Sequence, residues 1–341
     1  MHRPLPAPAG LGLAMVAGLA LAVQSRITGT MGLRLGDGVA AALLSFGSGL
    51  LLMILLTLGT RAGRSGLAAL RGGLARRVLP RWYLVAGAIG ASLVFAQGVT
   101  VGMVGVALFT IALVAGQTVS GLLVDRVGFG AGGRRRLTAP RLTGSVLTLG
   151  AVVWAVSAKF TALGPGALSL LLLPLLAGLL YGFQQAMNGR IAAAAGTPLT
   201  ATLTNFAAGA VVLLAAWLVK LPFSPRPHAL PHEWWLYCAG PLGIVVVFLS
   251  AALVRRIGVL LLGLGTVAGQ LMGSLLLDVA FPTPAAAVGT ATVLGTVLTL
   301  LAVIVAAAPW RRNPTPAALS ARPSTPAEPA LNVDPALKHP R

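Results

Sequence analysis

Acid–base or nucleophilic catalysis needs a carboxylate pair, or a nucleophile with a base in hydrogen-bond reach. This 341-residue chain offers six acidic residues, Asp37, Asp125, Glu233, Asp278, Glu328 and Asp334, and four histidines, His2, His228, His232 and His339. None of them forms a paired-carboxylate or nucleophile–base set inside an apolar stretch. No enzyme activity and no cofactor are expected. His228, His232 and Glu233 lie close together in a Pro-rich segment, where they read as solvated loop residues, and no metal site is assigned. The single cysteine, Cys238, excludes an intramolecular disulfide and any cysteine-cluster metal site.

Polar residues embedded in apolar runs are more telling, because placing them in hydrocarbon is costly. Gln24 and Thr28 are four apart and share a helix face, and Gln184 and Asn188 repeat that spacing. Gln97, Gln117 and Gln270 each sit in a further apolar run, and Arg26 lies beside Gln24. A carboxamide both donates and accepts, so it can hold a polar solute or a neighbouring helix. The candidate cavity-lining set is therefore Gln24, Arg26, Thr28, Gln97, Gln117, Gln184, Asn188 and Gln270. Asp125 and Asp278 each follow a glutamine, Gln117 and Gln270, by eight residues. They are candidates for gates at opposite membrane faces, the alternative being simple helix ends near water. No carboxylate is expected at mid-membrane, which disfavours a simple proton relay.

The elements that must position these residues are hydrophobic. The chain is 57% hydrophobic and 9% charged, against about 25% charged in soluble domains. Ten apolar runs read as membrane-spanning helices: 11–31, 39–58, 83–101, 103–124, 142–158, 168–189, 199–219, 235–254, 257–280 and 288–308. Pro174 and Pro241 are expected to kink the sixth and eighth. Gly32/Gly36, Gly98/Gly102, Gly178/Gly182 and Gly269/Gly273 are spaced for close helix packing within one chain.

The sequence also repeats. Gln24–Gly49 aligns with Gln184–Gly209, Ala115–Asp125 with Ala268–Asp278, and Gly144–Leu149 with Gly295–Leu300, at registers of 160, 153 and 151 residues. Each copy holds five helices. An odd number ends on the opposite side of the membrane, so the second copy is inverted relative to the first. The expected fold is all-α, ten transmembrane helices as two inverted five-helix repeats, residues 1–160 and 161–310. A Pro-rich tail, 311–341, has few apolar groups to bury and is expected to be disordered. The segments 59–81 and 125–141 read as basic loops.

The net charge of +19 raises the question of nucleic acid, but its distribution answers otherwise. With the N-terminus inside, twenty of the 25 Lys and Arg fall on one side and four on the other, Arg26 being within a helix. That asymmetry predicts cytoplasmic N- and C-termini, with basic loops facing anionic lipid headgroups. Gly130–Arg136 lacks the Gly-Lys-Ser/Thr ending of a phosphate loop. No cleavable signal peptide is evident, since the first run is long and continues into repeated sequence.

Val23-Gln-Ser-Arg-Ile-Thr-Gly29 followed by Ser45-Phe-Gly-Ser-Gly49 resembles the first-helix pattern of the YdcZ-like (EamA-like) five-helix membrane proteins. So does Gln184-Gln-Ala-Met-Asn-Gly189 followed by Asn205-Phe-Ala-Ala-Gly209. Ala115-Gly-Gln, Leu123-Val-Asp-Arg-Val-Gly-Phe129 and Arg141-Leu-Thr-Gly144 are similar to that family's fourth and fifth helices. The usual Asn stands at Asn188 and is replaced by Thr28 in the first copy. The resemblance implies membership of the drug/metabolite transporter superfamily, a central cavity, and transport of a small organic solute across the bacterial cytoplasmic membrane. A chain holding both halves is expected to work as a monomer among membrane lipids. The alternatives are a non-transporting scaffold or receptor, and a flippase for lipid-like molecules.

Overall fold

The structure is a computed structural model that describes residues 7–129, 142–144, 146, 147, 150, 154, 169–225, 227–282 and 290–307. The chain divides into a unit Met1–Ala308 and a unit Pro309–Arg341. The second unit, the loop 130–141, most of the expected fifth helix, Lys159 and Arg226 lie outside the described residues.

All regular elements among the described residues are helical: α1 (Ala7–Leu35), α2 (Gly38–Gly59), α3 (Arg61–Ala75), α4 (Ala86–Val104), α5 (Val106–Val127), α6 (Leu172–Ala195), α7 (Pro198–Lys220), α8 (Ala239–Ala280) and α9 (Thr290–Ala307). Short 3-10 turns at Arg81–Val85 and Trp234–Cys238 lead into α4 and α8. Six segments are long and apolar enough to cross a membrane, and ten spans are not established. α6 falls short in hydropathy although it has 24 residues. The run Gln184–Arg190 supplies the polar side chains responsible, and most of them are buried in protein. Apolar side chains face outward instead, with Leu51 63% and Val211 67% exposed. Polar-inside and apolar-outside is the arrangement that lipid selects.

Three sequence expectations need correction. The segment 59–81 is not merely a loop: it contains α3. Gly63, Gly66 and Leu70 form its buried stripe at helical spacing, while Arg61, Arg64 and Arg71 are exposed. Thr60 caps it by accepting from the Gly63 N–H at 3.1 Å. Pro174 and Pro241 lie in the first turns of α6 and α8, where an N–H has no intrahelical partner anyway. They start helices rather than kink them. Gly36 lies beyond the end of α1, with φ +64, and so takes no part in small-residue helix packing.

The expected eighth and ninth runs fall within the single element α8. A straight helix of its 42 residues would extend about 63 Å. Yet Gly243 lies against Gln24, while Gly273 lies against Leu19 and Ala22. Two segments thirty residues apart thus flank one stretch of α1. The first arm runs antiparallel to α1, from Gln24 beside Gly243 to Ala14 beside Leu253 and Val254. The second arm runs parallel to it, from Ala14 beside Gly265 to Arg26 beside Asp278. α8 doubles back within its length, and its arms correspond to the two expected runs.

Close contacts repeat between the copies with partners exchanged. A methyl added at Gly18 would strike Thr266 and the Gln270 N–H, and one at Gly178 would strike Leu113 and the Gln117 N–H. Gly116 abuts the Leu175 carbonyl, and Gly269 abuts the Met15 carbonyl. Gly49 meets the ring of Phe206, and Gly209 meets the ring of Phe46. Gly87 packs on Asn205, and Gly240 packs on Ser45. Each pair is related by the 160- and 153-residue offsets. The Phe46 and Phe206 rings themselves touch, with centroids 5.0 Å apart, so they stand where the exchange of copies is centred.

Candidate functional site

The polar side chains of α1, α2, α6 and α7 gather into two related nodes. In the second copy, Gln184 and Asn188 stand one turn apart on α6 and face Asn205 on α7. The Asn205 Oδ1 accepts from the Gln184 carboxamide at 2.9 Å and from the Asn188 carboxamide at 3.2 Å. The residues are 3%, 5% and 2% exposed, so this three-amide node is shut away from solvent.

In the first copy, the equivalent positions hold Gln24, Thr28 and Ser45. They are as deeply buried, at 4%, 0% and 3% exposed. The Gln24 Nε2 would lie 2.9 Å from a methyl placed at Gly243. Gly90, the equivalent of Gly243, makes the same approach to the Gln184 Nε2. The two glutamines therefore point alike. The Thr28 and Ser45 hydroxyls have no hydrogen-bond partner, and Gln24 has none among the described residues. Leaving such a group buried and unpaired costs roughly 1–3 kcal/mol.

Gln97, expected to line a cavity, instead donates to the Ser25 hydroxyl at 3.0 Å. That hydroxyl donates in turn to the Leu21 carbonyl at 2.8 Å. The equivalent positions in the second copy hold Ser250 and Gln185, the same amide and hydroxyl with their places exchanged. The Ser250 hydroxyl is buried without a hydrogen-bond partner, so the hydrogen bond from Gln97 to Ser25, which joins two helices, belongs to the first copy.

Gln117 and Gln270 sit at equivalent crossings, α5 on α6 and α8 on α1. The Gln117 Nε2 is buried without a partner, as are both side-chain polar atoms of Gln270. Among the described residues, these atoms lock no helices together by hydrogen bonding.

Arg26, also a cavity-lining candidate, is engaged by protein groups. It bonds the Phe281 carbonyl at 2.8 Å, lies over that residue's ring at 6.0 Å, and pairs with Asp278 at 3.6 Å. Asp278, 2% exposed, also caps α5. Its carboxylate accepts from the Val106 and Ala107 N–H groups at 3.3 and 2.7 Å. Those donors are free because Gly105, at φ 84, turns the chain sharply between α4 and α5. A buried anion at a helix N-terminus is favoured by the helix dipole. Asp278 thus ties α1, α5 and α8 together at one end of the bundle. Asp125 falls in the last turn of α5, and its side chain lies outside the described residues.

Two further ion pairs share the Asp278 end: Lys220 with Asp37 at 2.7 Å and Arg34 with Glu233 at 3.2 Å. Asp37 also caps α2 through the Val39 and Ala40 N–H groups. His228 is held there too, its N–H donating to the Leu35 carbonyl at 3.0 Å. Among the described residues, no group of three His, Cys, Asp or Glu is placed to hold a metal.

The residues missed as site candidates are Ser45, Asn205 and Arg190. The first two follow Gln24 and Gln184 by 21 residues in both copies, a repeated spacing that could have flagged them. Arg190 lies over the rings of Tyr83 and Phe129, 5.8 Å from each, at the end opposite Asp278.

No curated protein matches the sequence. A solved structure titled "Crystal structure of protein" aligns with a TM-score of 0.54 at 19% identity, covering 88% of this chain and 96% of that one. At that identity the likeness is one of fold. A family described as "Putative inner membrane exporter, YdcZ" matches over residues 9–154 and again over 169–305. Apolar helices, an amide-lined interior and this double match converge: the chain belongs to the YdcZ family of drug/metabolite-type transporters, multi-pass inner-membrane proteins rather than an enzyme family.

Proposed function

We propose that this protein is a secondary transporter that moves a small organic solute through a cavity between two inverted five-helix repeats, residues 1–160 and 161–310, by alternating access. The observation that carries the reading is the pair of crossings at Gln117 and Gln270. The Gln117 Nε2 and both side-chain polar atoms of Gln270 are buried there without protein partners, at positions that the exchange of copies relates. Polar groups left open on both sides of a pseudo-twofold arrangement suit a solute path. The Arg-rich end with α3 faces the cytoplasm, as do both termini, and the chain acts as a monomer in lipid. The family description favours export. The Asp278 end forms the outer gate.

The test is flux in proteoliposomes preloaded with a metabolite mixture, with and without a proton gradient. Release of a defined solute, reduced at least tenfold by Gln117→Ala or Gln270→Ala, supports the reading. Flux that survives Gln24, Arg26, Gln117, Gln184, Asn188 and Gln270 being substituted in turn removes the cavity. Absence of any protein-dependent flux favours a scaffold or receptor.

A further inference from the structure

We infer that the first-copy node, bounded by Gln24, Thr28, Ser45 and Gly243, is a solute subsite for a neutral carbonyl group, and that a carboxamide fits it best. The inference rests on the transporter reading and specifies the solute class. The two nodes share a backbone plan but differ in chemistry. In the second copy the Asn205 Oδ1 satisfies two donors at once. In the first copy that acceptor is missing, because Ser45 has two fewer heavy atoms than asparagine. The Gln24 Nε2 approaches Gly243 as the Gln184 Nε2 approaches Gly90, with no Asn205 carbonyl opposite it, and the Thr28 and Ser45 hydroxyls are buried without partners. What the node lacks, set beside the second copy, is the carbonyl oxygen of a carboxamide.

Charge narrows the class. Arg26 follows Gln24 by two residues, so it lies about 200° around α1, on a different face. It is also engaged by Asp278 and the Phe281 carbonyl. No ionic side chain belongs to the node. A carboxylate entering it would shed water without gaining a counter-charge, a severe penalty, whereas a carboxamide would exchange its hydrogen bonds for equivalent ones.

The test uses the full chain purified in detergent and matched probes differing in charge: benzamide against benzoate, nicotinamide against nicotinate, and glutamine against glutamate. Thermal stabilisation is read for each. The expected result is stabilisation by at least one carboxamide and by none of its carboxylate partners. Ser45→Asn rebuilds the closed second-copy arrangement. It should raise the unliganded midpoint by about 2–4 °C and abolish the carboxamide response. Ser45→Ala and Thr28→Val keep the space but remove one hydroxyl each, and should weaken the response about five- to tenfold. They serve if Ser45→Asn does not fold.

Two outcomes overturn the subsite. One is a carboxamide response unchanged in Ser45→Asn, or in Ser45→Ala and Thr28→Val together. The other is no carboxamide response at all while Ser45→Asn is stabilised, which makes the node a water site. Binding that behaves as expected without flux in proteoliposomes would instead remove the transporter reading and leave the subsite standing.

Discussion

At the Asp278 end of the bundle, Arg26 is held by a carboxylate, a backbone carbonyl and a ring. At the opposite end, Arg190 lies over two rings, Tyr83 and Phe129, with its Nε buried and unpartnered. The exchange of copies would place the counterpart of Arg26 at Ala186, and the cation has moved one turn along the same face of α6. Each end thus keeps an arginine on the first helix of a repeat, but among the described residues the groups that hold it differ. Losing one partner of a buried ion pair costs on the order of 3–5 kcal/mol. A cation over aromatic rings is held by about 0.5–2 kcal/mol. The ring-held end is the more weakly held of the two, so related ends are fixed unequally.

The contrast breaks first at Asp278. Asp278→Ala removes the cap of α5 and strands Arg26, and thermal unfolding in detergent should register a loss on the order of 3–5 kcal/mol. Next comes the partner. Arg26→Met should cost less, about 1–3 kcal/mol, since the cap survives. Combined with Asp278→Ala it should restore part of the loss, giving a coupling of about 0.5–3 kcal/mol. Strict additivity in that cycle would show that the pair does not hold the end together. At the opposite end, Arg190→Ala should lower stability by about 0.5–2 kcal/mol and speed solute exchange in proteoliposomes. A loss as large as that of Asp278→Ala would erase the difference between the two ends. The smallest effect belongs to Glu233→Gln. Its pair with Arg34 is well exposed, at 59% and 36%, so the change should stay below about 1 kcal/mol and vanish in high salt.

Much of this arrangement can be read from sequence because lipid imposes a simple code. Apolar runs announce helices, and the offset between copies announces which polar residues correspond. Gln24 with Gln184, and Gln117 with Gln270, are found in that way. The ion pair between Arg26 and Asp278 is not, because its partners are 252 residues apart and the position equivalent to Arg26 holds Ala186. Asp278 looks like a helix end near water, and only the placement of α5 beside it reveals a cap. α3 is hidden for another reason. Its stripe rests on Gly63 and Gly66, and glycine carries little apolar signal, although it is what allows the helix to press against Thr57 and Thr197. Gln97 misleads in the opposite sense: its amide is plainly visible, but its partner Ser25 lies on another helix.

The packing of α1 on the second arm of α8 also has a consequence in time. Gly18 rests against Thr266, and a ribosome adds about 5–20 residues per second. Roughly 12–50 s therefore pass between synthesis of the two surfaces. During that interval α1 has reached the membrane with Arg26 lacking its carboxylate, the most costly arrangement for a cation in lipid. α1 is thus made well before the surface that completes its packing, and its safe passage depends on whatever shelters a polar helix beside the translocon until the second arm of α8 arrives.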